Sequence, residues 1–291
     1  MELIDLHTHT SASDGTDTPA LLMAKAAQTG LKAVAVTDHD TLSGLDEAAE
    51  AGRECGVELI RGCEISTGTE LGELHILGLW LPENPVVLQE KLAFLRIKRA
   101  ERNEGIVRKL QDLGLDITME EVLATAKGES VGRPHIAEVL LRKGYAKNSR
   151  EVFKEYLGCH GKAYLPKEVL EPEESVRLLA DMGATVSLAH PMLWKGPPGW
   201  IDTQIARLKD CGLSAIEALH SEHSEADVRA CLALAKRFGL GVSGGSDYHG
   251  NNKPAIQLGK GYGKLRIGVD VLDNLRERRI AEGLPVRPDF T

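Results

Sequence analysis

The chain alternates between short apolar segments and amphipathic segments, and this alternation constrains its fold more than any other feature. Patterns typical of strands occur at 1–10, 32–38, 57–64, 74–81, 184–190, 214–220 and 241–247. Helical patterns lie between them, near 18–30, 44–55, 173–182, 202–211 and 225–238. Strands that alternate with helices are typical of parallel α/β folds. The sequence therefore predicts an α/β protein built on a distorted, seven-stranded, TIM-like parallel β/α barrel.

The alternation stops between the fourth and fifth predicted strands, where the chain has only helical signals. A long charged helix is predicted over 86–113, and Thr118 and Glu121 have the spacing of a capping box. A further helix is expected to begin at Pro134. We therefore predict that the barrel comprises two segments and is interrupted by a helical subdomain. The barrel segments are 1–84 and 168–291, and the insert is 85–167.

The insert and the rest of the chain carry net charge of opposite sign. Residues 85–167 contain 16 lysines and arginines against 11 aspartates and glutamates, a net charge of +5, whereas the whole chain has −8. This distribution predicts phosphate-bearing ligands near the insert and cations in the acidic body. The alternative is that the basic residues only form a solvated helical surface.

The cysteines give no sign of a disulfide framework or of a zinc–thiolate site, because the five residues are scattered and have no C-x-x-C spacing. No apolar run approaches the ~20 residues that span a bilayer. The N-terminus lacks a basic region followed by an apolar one, so a signal peptide is not indicated. These features predict a cytoplasmic protein without a membrane partner.

Residues that bind metals in proteins follow several predicted strands. Segments 32–38 and 57–64 end in or lead into such residues, and so do the last three predicted strands. The positions concerned are His7, His9, His39, Glu64, His190, Asp247 and His249. The carboxyl ends of barrel strands meet at one face, where active sites are built. Imidazole and carboxylate ligands without thiolate suit manganese, iron or zinc in a hydrolytic site. For His7 and His9 the alternative is a pair of surface histidines.

The motifs resemble those of the PHP (polymerase and histidinol phosphatase) family of metal-dependent phosphoesterases. The matching segments occur in order and are Asp5-x-His7-x-His9, Thr37-Asp38-His39-Asp40, Glu64, His75, His190-Pro191 and Gly245-Ser246-Asp247-x-His249. The resemblance implies a distorted seven-stranded barrel with two or three divalent ions. Mn²⁺ is expected, and iron or zinc would also suit the site.

The resemblance also implies a role for each ligand. One ion is expected at His7, His9, Glu64 and Asp247, and a second at His39, Glu64 and His75. A third would involve Asp14, His190 and His249. Many family members have a histidine where this chain has Asp14, so the resemblance leaves the third ion open. Asp5 is expected to orient a ligand imidazole, or alternatively to be a buried strand aspartate with backbone partners.

The insert narrows the expected substrate. Ser130, Arg133 and His135 lie on a loop that leads into a helix, and such groups bind phosphate oxygens. This loop resembles that of family members active on adenosine 3',5'-bisphosphate or on short RNA. Alternatively, Arg133 only anchors the loop by an ion pair. His223 follows the sixth predicted strand and is expected to contact the substrate, unless it is exposed to solvent.

The expected reaction is hydrolysis of the 3'-phosphate of adenosine 3',5'-bisphosphate by a metal-activated water, giving AMP and phosphate. His190 is expected to assist as a proton donor, together with Asp247 in the catalytic centre. The alternatives are a 5'-to-3' exonuclease on short 5'-phosphorylated RNA, a histidinol-phosphate phosphatase and a non-catalytic metal-binding module. A long duplex nucleic acid is not an expected partner.

Overall fold

The computed structural model describes residues 2–125, 131–194 and 196–286. The chain divides into two compact units. One unit, here called the barrel, comprises Met1–Gln89 and Leu170–Thr291, and the other, here called the insert, is Glu90–Val169. Among the described residues, no helix is long and apolar enough to cross a bilayer.

Seven strands of the described residues form one sheet, and their order in the sheet is their order in the chain. They are β1 (Leu3–Thr8), β2 (Leu31–Val36), β3 (Glu58–Thr69), β4 (Gly72–Leu79), β5 (Thr185–Leu188), β6 (Ala215–His220) and β7 (Gly241–Gly245). The segment after β7 returns to the first strand. The N–H of Asp247 donates to the His7 carbonyl at 2.9 Å, and the N–H of His9 donates to the Tyr248 carbonyl at 2.8 Å. The sheet is thus nearly closed, which confirms the predicted barrel.

Strand β4 departs from the parallel arrangement that the sequence predicts. It runs antiparallel to both β3 and β5. The pairing of Thr69 with Gly72 leaves only two residues for the turn between β3 and β4. A parallel connection requires a crossover of a dozen or more residues, so this short turn dictates an antiparallel pair.

Helices of the barrel cover the sheet and have the expected end signals. They are α1 (Pro19–Thr29), α2 (Leu45–Cys55), α7 (Pro172–Asp181), α8 (Trp200–Lys209), α9 (Glu225–Phe238) and α10 (Val269–Ala281). Helix α1 begins as the sequence indicates, because the Thr18 side chain accepts a hydrogen bond from the N–H of Leu21. It ends at Gly30, whose φ of 77° suits a residue without a Cβ atom.

Apolar packing in the barrel holds the strands in register. Val34 and Val36 of β2 share one buried cluster with Leu22 and Met23 of α1 and with Ala48 of α2. Other residues of the barrel strands form a second cluster with α10. Because the strands are held from more than one side, the segments that follow their ends are fixed in position.

The insert has helices and a core of its own. Its helices are α3 (Val86–Asp112, which starts before the insert), α4 (Met119–Leu123), α5 (Arg133–Arg142) and α6 (Ser149–Val152), followed by a π-helical turn (Phe153–Leu157). Thr118 and Glu121 form the predicted capping box. The buried core includes Ile106, Leu140 and Val152.

Candidate metal centre

The end of strand β1 places two imidazoles side by side, with His7 in the strand and His9 just after its last residue. His7 and His9 are both fully buried. Residues two apart in a strand lie on the same side, and the Nε2 atoms of the two rings are 3.1 Å apart. The predicted alternative of two surface histidines is therefore wrong.

Glu64 of β3 lies at the middle of a ring of histidines and is 1% exposed. The imidazole nitrogens that face its carboxylate belong to His7 (3.1 Å), His9 (3.1 Å), His39 (3.2 Å), His75 (2.9 Å) and His190 (3.1 Å). Burial raises the pKa of this carboxyl, but the surrounding imidazoles outweigh burial and hold the pKa well below its usual range. Glu64 is therefore an ionised oxygen donor.

Three groups of side chains bring potential ligand atoms within 4.8 Å of one another. They are His7–His9–Glu64–Asp247, His39–Glu64–His75 and His9–Asp14–His39–His249. Since Glu64, His9 and His39 each belong to two groups, the groups form one continuous centre. His190 belongs to none of the three groups among the described residues, and its ring faces Glu64 instead of Asp14.

The Asp14 side chain is 47% exposed. Within the group His9–Asp14–His39–His249, the histidines nearest to its carboxylate are His249 and His9. Its carboxylate lies 3.3 Å from Nε2 of His249 and 3.7 Å from Nδ1 of His9. The loop that carries it is held by Asn252, whose side-chain amide donates to the Asp14 carbonyl at 2.7 Å. Asp38 accepts hydrogen bonds from Thr10 and Ser13 of the same loop.

The segment after β5 and the segment after β7 carry further candidate ligands, His190 and Asp247. Asp247 has a φ of 57° and His190 a φ of 28°, values that side chains with a Cβ rarely adopt. Oδ1 of Asp247 lies 3.3 Å from Nε2 of His9, and Oδ2 accepts a hydrogen bond from Nζ of Lys253 at 2.6 Å. Burial opposes the charge of Lys253, but Asp247 outweighs it and raises the pKa of the ammonium group.

Glu217 of β6 is a supporting residue that sequence reasoning missed. Its Oε1 lies 3.0 Å from Nδ1 of His7, and its Oε2 accepts the backbone N–H of His190 at 2.8 Å. Burial raises its pKa, yet the His7 imidazole outweighs burial and lowers the pKa of Glu217 to about 2. An ionised acceptor at Nδ1 places the proton there and leaves Nε2 of His7 free to bind a metal.

Asp5 does not orient an imidazole ring. It accepts hydrogen bonds from the N–H of Ser246 (2.8 Å), the Ser246 hydroxyl (2.6 Å) and the N–H of Gly259 (2.8 Å). The sequence allowed Asp5 to orient an imidazole or to be a buried strand aspartate with backbone partners. The structure supports the second interpretation, since its partners are mainly backbone groups. Its effect on the centre is to hold the segment just before Asp247.

Two further histidines lie at the end of β6 and just after it. His220 accepts the backbone N–H of Glu222 at Nδ1 (3.1 Å), and its Nε2 lies 3.7 Å from Oδ2 of Asp247. His223 donates from Nδ1 to the Ala218 carbonyl at 3.0 Å, and the two imidazole centroids are 5.2 Å apart. His223 is thus partly buried beside the centre.

The predicted substrate residues of the insert lie at the start of α5. Nη1 of Arg133 donates to the Leu157 carbonyl at 3.2 Å, and Nδ1 of His135 accepts the N–H of Gly132 at 3.1 Å. Arg133 thereby ties the loop to the π-helical turn. Ser130 lies outside the described residues.

The donor atoms fit divalent metal ions. Nε2 of His7 and Nε2 of His9 face each other and the same oxygen of Glu64, as ligands around a cation do. Among the described residues, the buried Nδ1 atoms of His9 and His39 have no hydrogen-bond partner, although each lies within 4 Å of a carboxylate. A set of nitrogen and oxygen donors suits manganese, iron or zinc.

Metal binding is expected to release protons. Burial disfavours the charged forms of His9 and His75, but Asp247 and Glu64 beside His9, and Glu64 beside His75, outweigh it and raise the pKa of each imidazole to about 9. In the metal-free protein both rings are therefore protonated at neutral pH and must lose a proton to bind a metal. We expect metal affinity to rise from about pH 6 to pH 8, by about tenfold per unit for each proton released.

Calorimetric zinc titrations in buffers of different ionisation enthalpy measure the metal affinity and the number of protons released on binding. Burial lowers the pKa of His39 to about 3, so this ring does not contribute to proton release. An affinity that is independent of pH, without proton release, contradicts this assignment of charges.

Fold and site together define a class of protein, a metal-dependent phosphoesterase with its centre on a barrel. The PHP domain model matches residues 5–165, which is more than half of the chain. The chain belongs to the PHP family.

Curated relatives agree with this class. A 5'-3' exoribonuclease of Haemophilus influenzae is 36% identical over 250 residues, covering 84% of this chain and 89% of the relative. A 3',5'-nucleoside bisphosphate phosphatase of Chromobacterium violaceum is 30% identical over 260 residues, covering 89% of this chain and 91% of the relative. A phosphoribosyl 1,2-cyclic phosphate 1,2-diphosphodiesterase of Eggerthella lenta is 31% identical over 252 residues, covering 84% of this chain and 94% of the relative.

Solved structures share the fold over nearly the whole chain. A protein from Bifidobacterium adolescentis, described as a metal-dependent phosphoesterase, has a TM-score of 0.81 at 29% identity and covers 98% of both chains. An amidohydrolase from Chromobacterium violaceum, solved with bound sulfate and no metal, has a TM-score of 0.80 at 28% identity, covering 93% of this chain and 96% of that one.

Proposed function

We propose that the protein hydrolyses the 3'-phosphate ester of a 5'-phosphorylated nucleotide, most directly adenosine 3',5'-bisphosphate, to give AMP and phosphate. The observation that carries the proposal is the convergence of five imidazoles on the buried carboxylate of Glu64. The nucleotide part is supported by the relative named as a 3',5'-nucleoside bisphosphate phosphatase.

The proposed metal ligands are the three groups of side chains together with His190. Bound divalent ions supply Lewis-acid stabilisation of the phosphoryl oxygens and an activated water. Glu217 holds His7 in the tautomer that ligates, and Asp247 provides one oxygen to the ligand group and the other to Lys253. His190 is buried and held close to Glu64, and burial lowers the pKa of its ring. The neutral ring suits a metal ligand, whereas the proposed role of His190 as proton donor to the departing ribose oxygen requires the protonated ring and excludes ligation through the same nitrogen.

The proposed substrate contacts are Ser130, Arg133, His135 and His223. Arg133 offers a planar guanidinium group that suits phosphate oxygens, and it lies at the start of α5, where backbone N–H groups favour anions. Its contact with the Leu157 carbonyl uses one nitrogen, which orients the group.

A second candidate function is 5'-to-3' exonuclease activity on short RNA. It is favoured by the 36% identity to a relative with that name. An exonuclease that releases 5'-mononucleotides breaks the bond between phosphorus and the 3'-oxygen of a 5'-phosphorylated nucleotide. The bisphosphate is the smallest molecule with this arrangement, so both candidates need the same centre and differ in what lies beyond the 3'-phosphate.

A comparison of four substrates with added manganese tests the proposal. They are adenosine 3',5'-bisphosphate, 3'-AMP, histidinol phosphate and a 5'-phosphorylated RNA trinucleotide. We expect kcat/KM for the bisphosphate to exceed that for 3'-AMP by at least about tenfold, because a 5'-phosphate adds charge-assisted hydrogen bonds. A preference for the trinucleotide supports the exonuclease instead. A preference for histidinol phosphate contradicts both candidates.

Arg133→Ala separates substrate binding from metal binding in the same assay. The variant is expected to raise KM for the bisphosphate and to retain its metal, while Arg142→Ala on the same helix serves as the matched control. Loss of metal from Arg133→Ala, or an unchanged KM, would remove Arg133 from the proposed substrate site. Circular dichroism checks that the insert remains folded.

A further inference from the structure

Lys253 has a side chain that starts from a fixed point on the loop after β7. Its N–H donates to the Gly250 carbonyl at 3.2 Å, and its carbonyl accepts the N–H of Ile256 at 2.9 Å. Pro254 follows it, and a proline restricts the backbone of the residue before it. The direction in which the lysine side chain leaves the loop is thereby constrained.

The ammonium group of Lys253 lies next to the metal centre. Its Nζ is 2.6 Å from Oδ2 of Asp247. The other oxygen of the same carboxylate, Oδ1, is 3.3 Å from Nε2 of His9 and 3.5 Å from Nδ1 of His249. One carboxylate group therefore separates the positive charge from the ligand atoms.

Lys253 also has donors that the barrel does not use. An ammonium group has three N–H donors, and the contact with Asp247 is its one hydrogen bond to a described residue of the barrel. The lysine side chain is 38% exposed, whereas that of Asp247 is 7% exposed. The group thus reaches from a buried ligand to the solvent side of the centre, where a substrate approaches.

Lys253 differs from the other partners of the ligand carboxylates because its positive charge does not depend on the protonation of an imidazole. The ligand groups contain three carboxylates, those of Asp14, Glu64 and Asp247. Within the described barrel, these carboxylates pair with histidines and with Lys253. A histidine that binds a metal is neutral. Lys253 is the one lysine or arginine among these described partners. It is therefore the permanent positive charge that the barrel places beside the ligands.

We propose that Lys253 binds a non-bridging oxygen of the phosphate whose ester bond is broken. Asp247 holds the ammonium group in place, and a remaining N–H donates to the phosphoryl oxygen. A fixed cation at this point stabilises negative charge on the phosphoryl group as the ester bond breaks. The inference rests on the phosphoesterase function of the centre, but not on the identity of the nucleoside.

Calorimetric binding of inorganic phosphate to the manganese-saturated protein tests this contact. The variants are Lys253→Met, which removes the charge and keeps the length, Lys253→Arg, which keeps the charge, and Lys260→Met as the matched control. Loss of a charge-assisted hydrogen bond is expected to weaken phosphate binding by about 10- to 100-fold in Lys253→Met. Lys253→Arg should recover most of the affinity, and Lys260→Met should bind like the wild type.

Manganese affinity, measured on the same variants, separates this contact from a structural role. If Lys253 only supports Asp247, Lys253→Met weakens manganese binding but leaves the phosphate affinity of the saturated protein unchanged, and that result overturns the proposal. Undetectable phosphate binding by the wild type overturns it as well. Because inorganic phosphate carries no nucleoside, a wrong substrate assignment would leave this result unaffected.

Discussion

Glu64→Gln is expected to remove most of the bound metal and to lower kcat/KM by at least about 10³-fold. The reason is that Glu64 belongs to two ligand groups at once, so its loss weakens both metal positions. The two carboxylate oxygens of Glu64 face imidazole nitrogens of His7 and His75. In glutamine one of these oxygens becomes an NH₂ group, which cannot accept a hydrogen bond or bind a metal. Elemental analysis after dialysis and turnover with added manganese measure the two effects.

Glu70→Gln is the matched control, because Glu70 is exposed and lies just after β3, the strand that carries Glu64. Thermal unfolding of both variants shows whether the fold is kept. Normal metal content and normal turnover in Glu64→Gln would refute the assignment of this residue as the shared ligand.

Glu217→Gln is expected to lower metal affinity by about 10- to 100-fold, although Glu217 belongs to no ligand group. Its two oxygens face two different donors, Nδ1 of His7 and the N–H of His190. A glutamine must turn its NH₂ group toward one of them. If the NH₂ group faces His190, it meets the backbone N–H of His190, and two donors then face each other. Facing His7, it forces the proton onto Nε2, the atom that should ligate.

Metal competition titrations measure this effect, with Glu225→Gln as the control, since Glu225 is exposed at the start of α9. An unchanged affinity would mean that the His7 tautomer is set without Glu217. A loss of activity at saturating metal, with normal affinity, would assign Glu217 to holding His190 instead.

Several features of the centre were predictable because they depend on local patterns and on one rule of barrel topology. Residues at or just past the carboxyl ends of barrel strands meet at one face, so His7, His9 and Asp247 could be placed together from the sequence alone. His75 did not fit that rule, because it lies within β4 instead of after a strand. The antiparallel direction of β4 resolves this, since it places His75 beside Glu64 on the neighbouring strand.

Other features were not predictable, because no motif marks them. Glu217 lies within an apolar strand and is 210 positions from His7. Lys253 lies on a loop, and its contact with Asp247 depends on how that loop folds back. For Asp5 the sequence left two interpretations open, an aspartate that orients an imidazole and a buried strand aspartate with backbone partners. The donors that it meets, at Ser246 and Gly259, are set by the closure of the barrel.

The sequence by itself determined the number and type of the barrel elements and the chemical nature of the ligands, since periodicity, end signals and residue identity are local properties. The tertiary structure decided which atoms meet: the five histidines on Glu64, the Glu217 carboxylate at Nδ1 of His7 and the cation beside Asp247. These depend on distances of about 3 Å between residues far apart in the chain, which only the closure of the sheet and the packing of its loops can set.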